Sequence, residues 1–216
     1  MTLPLQILFH IDADSLRSGR YRETVQHYHS ALRLTDAVAY EQMPRPIAFI
    51  RLTDAEKPLL SDAIDALYDW DVQPIAQDGT QVRERGWTDL RYILETPAIH
   101  RVPYLLHLAS DHRITPAAGQ NLRDILAAAC NTLAANKDVV TVGFPGALNL
   151  FPGQQVSQMF SVAQILRWPA VVRTRDLYLA AVLAQSSSAT SDQLLSAFSQ
   201  SQVRHLAFQQ SIATVQ

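Results

Sequence analysis

Val102-Pro103-Tyr104-Leu105-Leu106-His107-Leu108-Ala109-Ser110-Asp111-His112-Arg113-Ile114-Thr115-Pro116 is the stretch that decides the fold. It begins with an apolar run, the pattern of a strand buried on both faces in a parallel sheet covered by helices. The run breaks into Ser-Asp-His-Arg, and Thr115-Pro116 then supplies an Ncap residue and an N1 proline. That pair predicts a long helix from Pro116 to Asn136, with Leu122, Ile125, Leu126, Ala129 and Leu133 on one face. In open α/β sheets, ligands bind outside the carboxyl ends of the strands. A carboxylate one or two residues beyond a buried central strand stands where a substrate or metal would be held, and Asp111 has that position.

Working outward, the N-terminal side repeats the pattern. Leu5 to Ile11 reads as a strand ending in Asp12-Ala13-Asp14. If the strand continues, its period of two puts His10, Asp12 and Asp14 on one face. Residues Tyr21 to Leu34 read as helix. His27 and His29 lie two apart there and point about 200° from one another, which excludes a shared metal. Ile47 to Leu52 is a second strand, ending at Thr53-Asp54. Pro58 opens a helix whose apolar stripe is Leu60, Ala63, Ile64, Leu67 and Tyr68. Val72 to Ala76 is a third strand, followed by a polar, arginine-rich segment, Gln81 to Gly86, and a helix from Trp87 to Leu94 carrying Asp89.

On the C-terminal side, Val139 to Gly143 is a strand, Gln155 to Trp168 a helix, and Pro169 to Arg175 a short strand leaving Arg173 and Arg175 at its end. Helices follow from Asp176 and from near Asp192, and Leu206 to Val215 is a final strand. Strands alternating with helices predict a single α/β domain over residues 1–216, a mostly parallel central sheet flanked by helices. Within that domain the chain falls into two halves, residues 1–143 and residues 144–216, divided where the texture changes after Gly143.

Composition narrows the function classes. The formal charge of −2 offers no bulk attraction for nucleic acid, so no nucleic-acid partner is expected. Lys57 and Lys137 are the only lysines, so the positive charge is mostly arginine. That bias suits bidentate recognition of phosphate or carboxylate, although a bias in the coding sequence would produce it equally. Cys130 is the only cysteine and reads as a core thiol, which excludes an internal disulfide and a cysteine-based zinc site. The N-terminus has no basic region, and Asp12 interrupts its apolar run, so no signal peptide is expected. No stretch approaches the roughly 18 apolar residues of a membrane span. A cytoplasmic location is the expectation. Glycine-rich phosphate loops and the G-x-S-x-G elbow are absent. What remains is a set of acids at strand ends: Asp12, Asp14, Asp54 and Asp111, the last followed by His112. Such acids suit Mg²⁺ or Mn²⁺, hard cations that take oxygen ligands.

The order of strands and acids resembles the GT-A-fold glycosyltransferases, the nucleotide-diphospho-sugar transferase type, and among them the inverting family 2 enzymes. The resemblance implies that the first strand, ending at Asp12, opens the nucleotide pocket, and that Asp54 contacts the base. The segment from Tyr104 to Pro116 is similar to the one that carries the DxD metal and nucleotide-sugar motif. Ala109 and Ser110 stand in place of its first acid, so a Mn²⁺ or Mg²⁺ ion would rest on Asp111 and His112. Trp168 to Leu177 resembles the acceptor-side segment, and Asp192 resembles the catalytic base. The implied activity moves a sugar from a nucleotide-sugar donor to a hydroxyl acceptor by single displacement. Asp192 would take the acceptor proton, and Arg85 and Arg173 would neutralise the leaving diphosphate.

Two other readings remain. Asp12, Asp89 and Asp111 also resemble the acid positions of NYN or PIN-like metal-dependent ribonucleases. Alternatively, the missing first acid suits a catalytically degenerate GT-A-like binding protein. Geometry separates the three. The transferase needs Asp54, Asp111 and Asp192 around one cleft, and the nuclease needs its three acids within reach of a shared metal.

Overall fold

A computed structural model describes residues 3–32, 43–76, 99–110, 112–116, 119–144, 155–156, 159–162, 169–176, 204–208 and 212–215. The strands are β1 (Leu5–Ile11), β2 (Ile47–Leu52), β3 (Asp71–Ala76), β4 (Tyr104–Ala109), β5 (His112–Thr115), β6 (Val139–Gly143), β7 (Gln155–Val156), β8 (Met159–Val162), β9 (Ala170–Arg173), β10 (Arg204–Phe208) and β11 (Ile212–Val215). The helices are α1 (Ala13–Ser18), α2 (Arg20–Leu32), α3 (Leu59–Ala66) and α4 (Leu122–Ala135).

Among the described residues, nine strands form one sheet in the order β3-β2-β1-β4-β9-β6-β10-β8-β7. The pairs β3–β2, β2–β1, β1–β4 and β6–β10 are parallel. β9 is antiparallel to both of its neighbours, β4 and β6. The mostly parallel sheet flanked by helices, expected from the alternating apolar runs, is the architecture the chain adopts.

The central strands owe their place to their composition. β1, β2 and β4 are buried along almost their whole length, as strands covered on both faces must be. Alternation then sorts their side chains. Ile7, Phe9 and Ile11 of β1, Ala48 and Ile50 of β2, and Leu106 and Leu108 of β4 join one core cluster with Tyr21, Val25 and Tyr28 of α2 and Leu126, Ala129 and Leu133 of α4. Leu8, His10, Phe49, Leu105 and His107 take the other face by the same period.

The register fixes where the strands stop. Ile11 pairs with Ile50, and His10 with Ala109, so β2, β1 and β4 reach their carboxyl ends side by side.

Helix boundaries follow local chemistry. Asp12 caps α1, its carboxylate accepting the Ser15 N–H at 2.7 Å, and Gly19 ends that helix at φ 72°, a left-handed conformation that suits glycine. α2 buries Tyr21, Thr24, Val25, Tyr28 and Leu32 at helical spacing. α3 departs from its expected stripe. Ala63 is buried, but Ile64 and Tyr68 are 49% and 67% exposed.

Three sequence expectations are corrected. Thr115-Pro116 does not open a helix: His112–Thr115 is β5, paired antiparallel with β11 from Ile212↔Thr115 to Val215↔His112. A residue preceding proline is biased to extended backbone, which is how Thr115 is used. α4 begins at Leu122 instead, capped by Asn121, whose side-chain oxygen accepts the Asp124 N–H at 2.8 Å. The expected helix from Gln155 contains β7 and β8, which pair with one another, and β8 also pairs with β10. Short segments of this kind take the conformation that their tertiary partners supply. The expected last strand, Leu206 to Val215, is two strands in different sheets. The helix expected over 87–94, the one near Asp192, and the one from Asp176 beyond a helical turn at 174–176 lie outside the described residues.

Strands from both halves share the main sheet, since β9 sits between β4 and β6. No described helix is long and apolar enough to cross a membrane.

Candidate functional site

The aligned ends of β2, β1 and β4 deliver Thr53-Asp54, Asp12 and Ser110 to one edge of the sheet. Side chains then stitch these exits together. Ser15 of α1 and Ser110 share a hydroxyl–hydroxyl hydrogen bond, and both are buried. Arg17 of α1 pairs with Asp14 at 3.0 Å and with Glu56 in the turn after β2. Glu56 also accepts from the Thr53 N–H at 3.0 Å and the Thr53 hydroxyl at 2.8 Å, forming a capping box. These Thr53 bonds, followed by the Arg17 guanidinium, hold the Glu56 carboxyl below the usual range. Sequence reasoning missed Arg17 and Glu56. The signals were present, a Thr-x-x-Glu box and an i,i+3 acid–arginine pair.

Each predicted residue can now be placed. Asp12 does not continue the strand. It leaves β1 as the cap of α1, so the shared face expected for His10, Asp12 and Asp14 does not form. Asp14 is an exposed partner of Arg17. Asp54 stands just beyond the carboxyl end of β2 with its side chain 90% exposed, 2.7 Å from the Lys57 ammonium. The Lys57 hydrogen bond, and then its charge, hold the Asp54 carboxyl below its ordinary value. Arg85, Asp89, Asp111 and Asp192 lie outside the described residues.

His112 is half-buried in β5, and its Nδ1 accepts the Ala109 N–H at 3.2 Å. A neutral imidazole accepting at Nδ1 keeps its proton on Nε2. Placed this way, the ring is a hydrogen-bond donor, better matched to a phosphate oxygen than to a cation. Ligating a metal would require it to release Ala109. Among the described residues, no group of three His, Cys, Asp or Glu side chains could hold a metal ion.

Arg173 is the clearest correction. β9 runs antiparallel to β4 with Tyr104↔Arg173, so Arg173 lies at the amino end of β4, across the sheet from the aligned exits. Its guanidinium donates to the carbonyls of Leu133, Asn136 and Val139 and pairs with Asp176 at 3.1 Å. It satisfies carbonyls at the C-terminus of α4, where a cation is favoured. It is engaged there and does not face a diphosphate at the other edge.

Histidines that sequence reasoning left unconnected come together on the face of the sheet opposite α2 and α4. His10 stacks on Phe49 at 5.3 Å between ring centroids and contacts the His107 ring at 4.4 Å. Burial, and then the neighbouring His10 and His112, push His107 well below its ordinary value. This adjacency depends on strand register, which spacing within either strand does not reveal. His27 and His29 have separate partners, as their spacing requires: His27 Nε2 contacts the Ile114 carbonyl at 3.0 Å, and His29 accepts from the Trp70 indole.

A cavity of about 430 Å³ opens at the far edge, between Leu3, Pro4 and Tyr104 and the α4 residues Ala127, Cys130 and Asn131. Arg123 and Asp124 also line it, and it lies at the amino end of β4, apart from Asp12 and Asp54.

No family model matches the chain, and no curated protein matches it. Solved structures do. The chain is similar to 4-diphosphocytidyl-2C-methyl-D-erythritol synthase from Anaerococcus prevotii, with 12% identity over 99% of this chain and 94% of that one, at a TM-score of 0.53. It is similar to a UDP-glucose pyrophosphorylase solved with UDP-glucose, at 7% identity over 99% and 92% of the two chains, TM-score 0.56. It also resembles mannose-1-phosphate geranyltransferase from Thermus thermophilus, at 9% identity over 95% and 73%, TM-score 0.51. At these identities the likeness establishes the fold, a GT-A-like nucleotide-diphospho-sugar transferase fold.

Proposed function

We propose that this chain is a transferase that binds a nucleotide-sugar donor at the aligned carboxyl ends of β2, β1 and β4. The observation that carries the reading is the shared edge itself. Three parallel, register-matched strands end on one edge of the sheet, where Asp12, Asp54 and the segment leaving β4 follow them, and α/β sheets of this kind hold ligands outside the carboxyl ends of their strands. The similar pyrophosphorylase was solved with UDP-glucose, which adds support for a donor of that class.

In this reading Asp54 hydrogen-bonds the base, and the edge of Asp12, Ser15 and Ser110 lines the pocket floor. His112 donates from Nε2 to the diphosphate. Asp111 would hold Mn²⁺ or Mg²⁺, which when bound neutralises charge on the leaving diphosphate. Asp192 takes the proton of an acceptor hydroxyl, giving single displacement with inversion, and Arg85 adds positive charge on the donor side. No described observation favours the nuclease reading: Asp12 caps α1, and Asp89 and Asp111 lie outside the described residues.

The test is a thermal shift with UDP and GDP, each with and without Mn²⁺. A ligand specific to the native state raises the apparent melting temperature with its occupancy. A base-selective rise that is lost in Asp54→Ala and Asp111→Ala is expected. Silence with every nucleotide would overturn the donor reading, and a Mn²⁺ shift lost only in Asp12→Ala would point to the nuclease.

A further inference from the structure

β5 follows directly from the end of β4 and has two edges. One edge pairs with β11 through an antiparallel ladder. The other faces α2, and there side chains replace a strand. The Tyr28 hydroxyl donates to the His112 carbonyl at 3.2 Å and accepts the Ile114 N–H at 3.1 Å, two bonds that a neighbouring strand would otherwise make. His27 Nε2 contacts the Ile114 carbonyl at 3.0 Å. One turn earlier on the same helix face, the Thr24 hydroxyl donates to the Ser110 carbonyl at 2.8 Å, and Ser110 is also bonded to Ser15. Arg113 pairs with Glu23 and reaches the Thr24 hydroxyl at 3.4 Å. The residues on both sides of position 111 are therefore anchored, each to a named hydroxyl on one buried face of α2.

We propose that Thr24 and Tyr28 are positioning residues for the donor site. They hold the backbone of Ser110 and His112 so that the His112 imidazole meets the diphosphate in one geometry. The proposal rests on the donor reading given above. A tyrosine hydroxyl that bridges a carbonyl and an N–H from buried, rigid helix is a more exact anchor than solvent, because it can satisfy both groups at once.

Tyr28→Phe keeps the buried ring and removes both bonds, and Thr24→Val keeps the shape and removes the bond to Ser110. Three quantities are measured for each variant: affinity for UDP or GDP with Mn²⁺ by calorimetry, melting temperature without ligand, and hydrogen exchange of the Ile114 amide. The expected result is about tenfold or greater loss of nucleotide affinity in each variant, the scale seen when partners that orient metal-ligating residues are removed. In Tyr28→Phe, faster Ile114 exchange should accompany it. If the wild type binds nucleotide and both variants bind it equally well, with only melting temperature or exchange altered, the positioning role is wrong while the donor reading stands. If the wild type binds no nucleoside diphosphate, the donor reading falls and takes this proposal with it. Should Tyr28→Phe fail to fold, Thr24→Val decides by the same criterion.

Discussion

Asp12 has two candidate roles, and one pair of substitutions separates them. Its carboxylate accepts the Ser15 N–H at 2.7 Å as the cap of α1, and it stands at the donor edge, where a carboxylate could touch ligand. Asp12→Ala removes the cap and should destabilise the fold by about 1 kcal/mol. For a chain of this size that corresponds to about 2–4 °C in melting temperature. Asp12→Asn retains a capping oxygen of nearly equal quality and loses only the charge near the helix N-terminus. Because α1 has six residues, that loss should sit at the low end of the charge–dipole effect, about 0.3 kcal/mol. Urea unfolding at neutral pH measures both, and nucleotide titration with Mn²⁺ runs beside it. If Asp12 binds donor, Asp12→Asn should be nearly as stable as the wild type yet lose affinity. Equal destabilisation by Asn and Ala would refute the capping argument, because it would mean that the charge, and not the accepted N–H, holds α1.

Stability should also fall in acid. His29 and His107 are both held below their ordinary values, burial being the larger cause in each, with Asp69 opposing it at His29. The unfolded chain therefore protonates first. Their contribution is complete above about pH 6.5 and is lost as pH falls from there towards the depressed folded values, so urea midpoints at pH 5.5 should lie below those at 7.5. Arg173→Lys should destabilise by about 1.5–3 kcal/mol, since one ammonium cannot serve the carbonyls that the fork serves. Nucleotide affinity should not change; a selective loss of affinity without loss of stability would return Arg173 to the donor site. Burial pushes the Cys130 thiol up to about 12, so Ellman's reagent at pH 8 should modify it only after denaturation.

The fold was legible wherever burial alone decides the conformation. The helical stripes of α2 and α4 could be read from their period, and the apolar runs of β1, β2, β4 and β6 from their short length and the breaks that bound them. Thr115-Pro116 misled because a good local helix start competed with pairing to β11, nearly a hundred residues away, and with the hydroxyls of α2. The segment at Gln155 failed for the same reason, with β10 as the distant partner. Asp12 and Asp54 follow strands that are parallel and in register, and the parallel direction was what alternating strands and helices implied. Side-chain duties were not legible: whether Asp12 caps a helix, or Arg173 closes α4, depends on where a backbone N–H or carbonyl lies in space.

β9 enters the sheet between β4 and β6, bringing residues 170–173 against strands completed long before them. During synthesis, the chain up to residue 143 can assemble β3-β2-β1-β4, but the open side of β4 waits for β9, and β6 has no direct bond to β4. A nascent half-sheet with an exposed hydrophobic edge is a template for wrong pairing with another chain. The wedge strand thus makes completion of the sheet depend on pairing residues far apart in the chain, the kind of contact that is slow to form. Cutting the gene after residue 143 should yield an aggregating fragment, because the two halves of the sequence are not two halves of the fold.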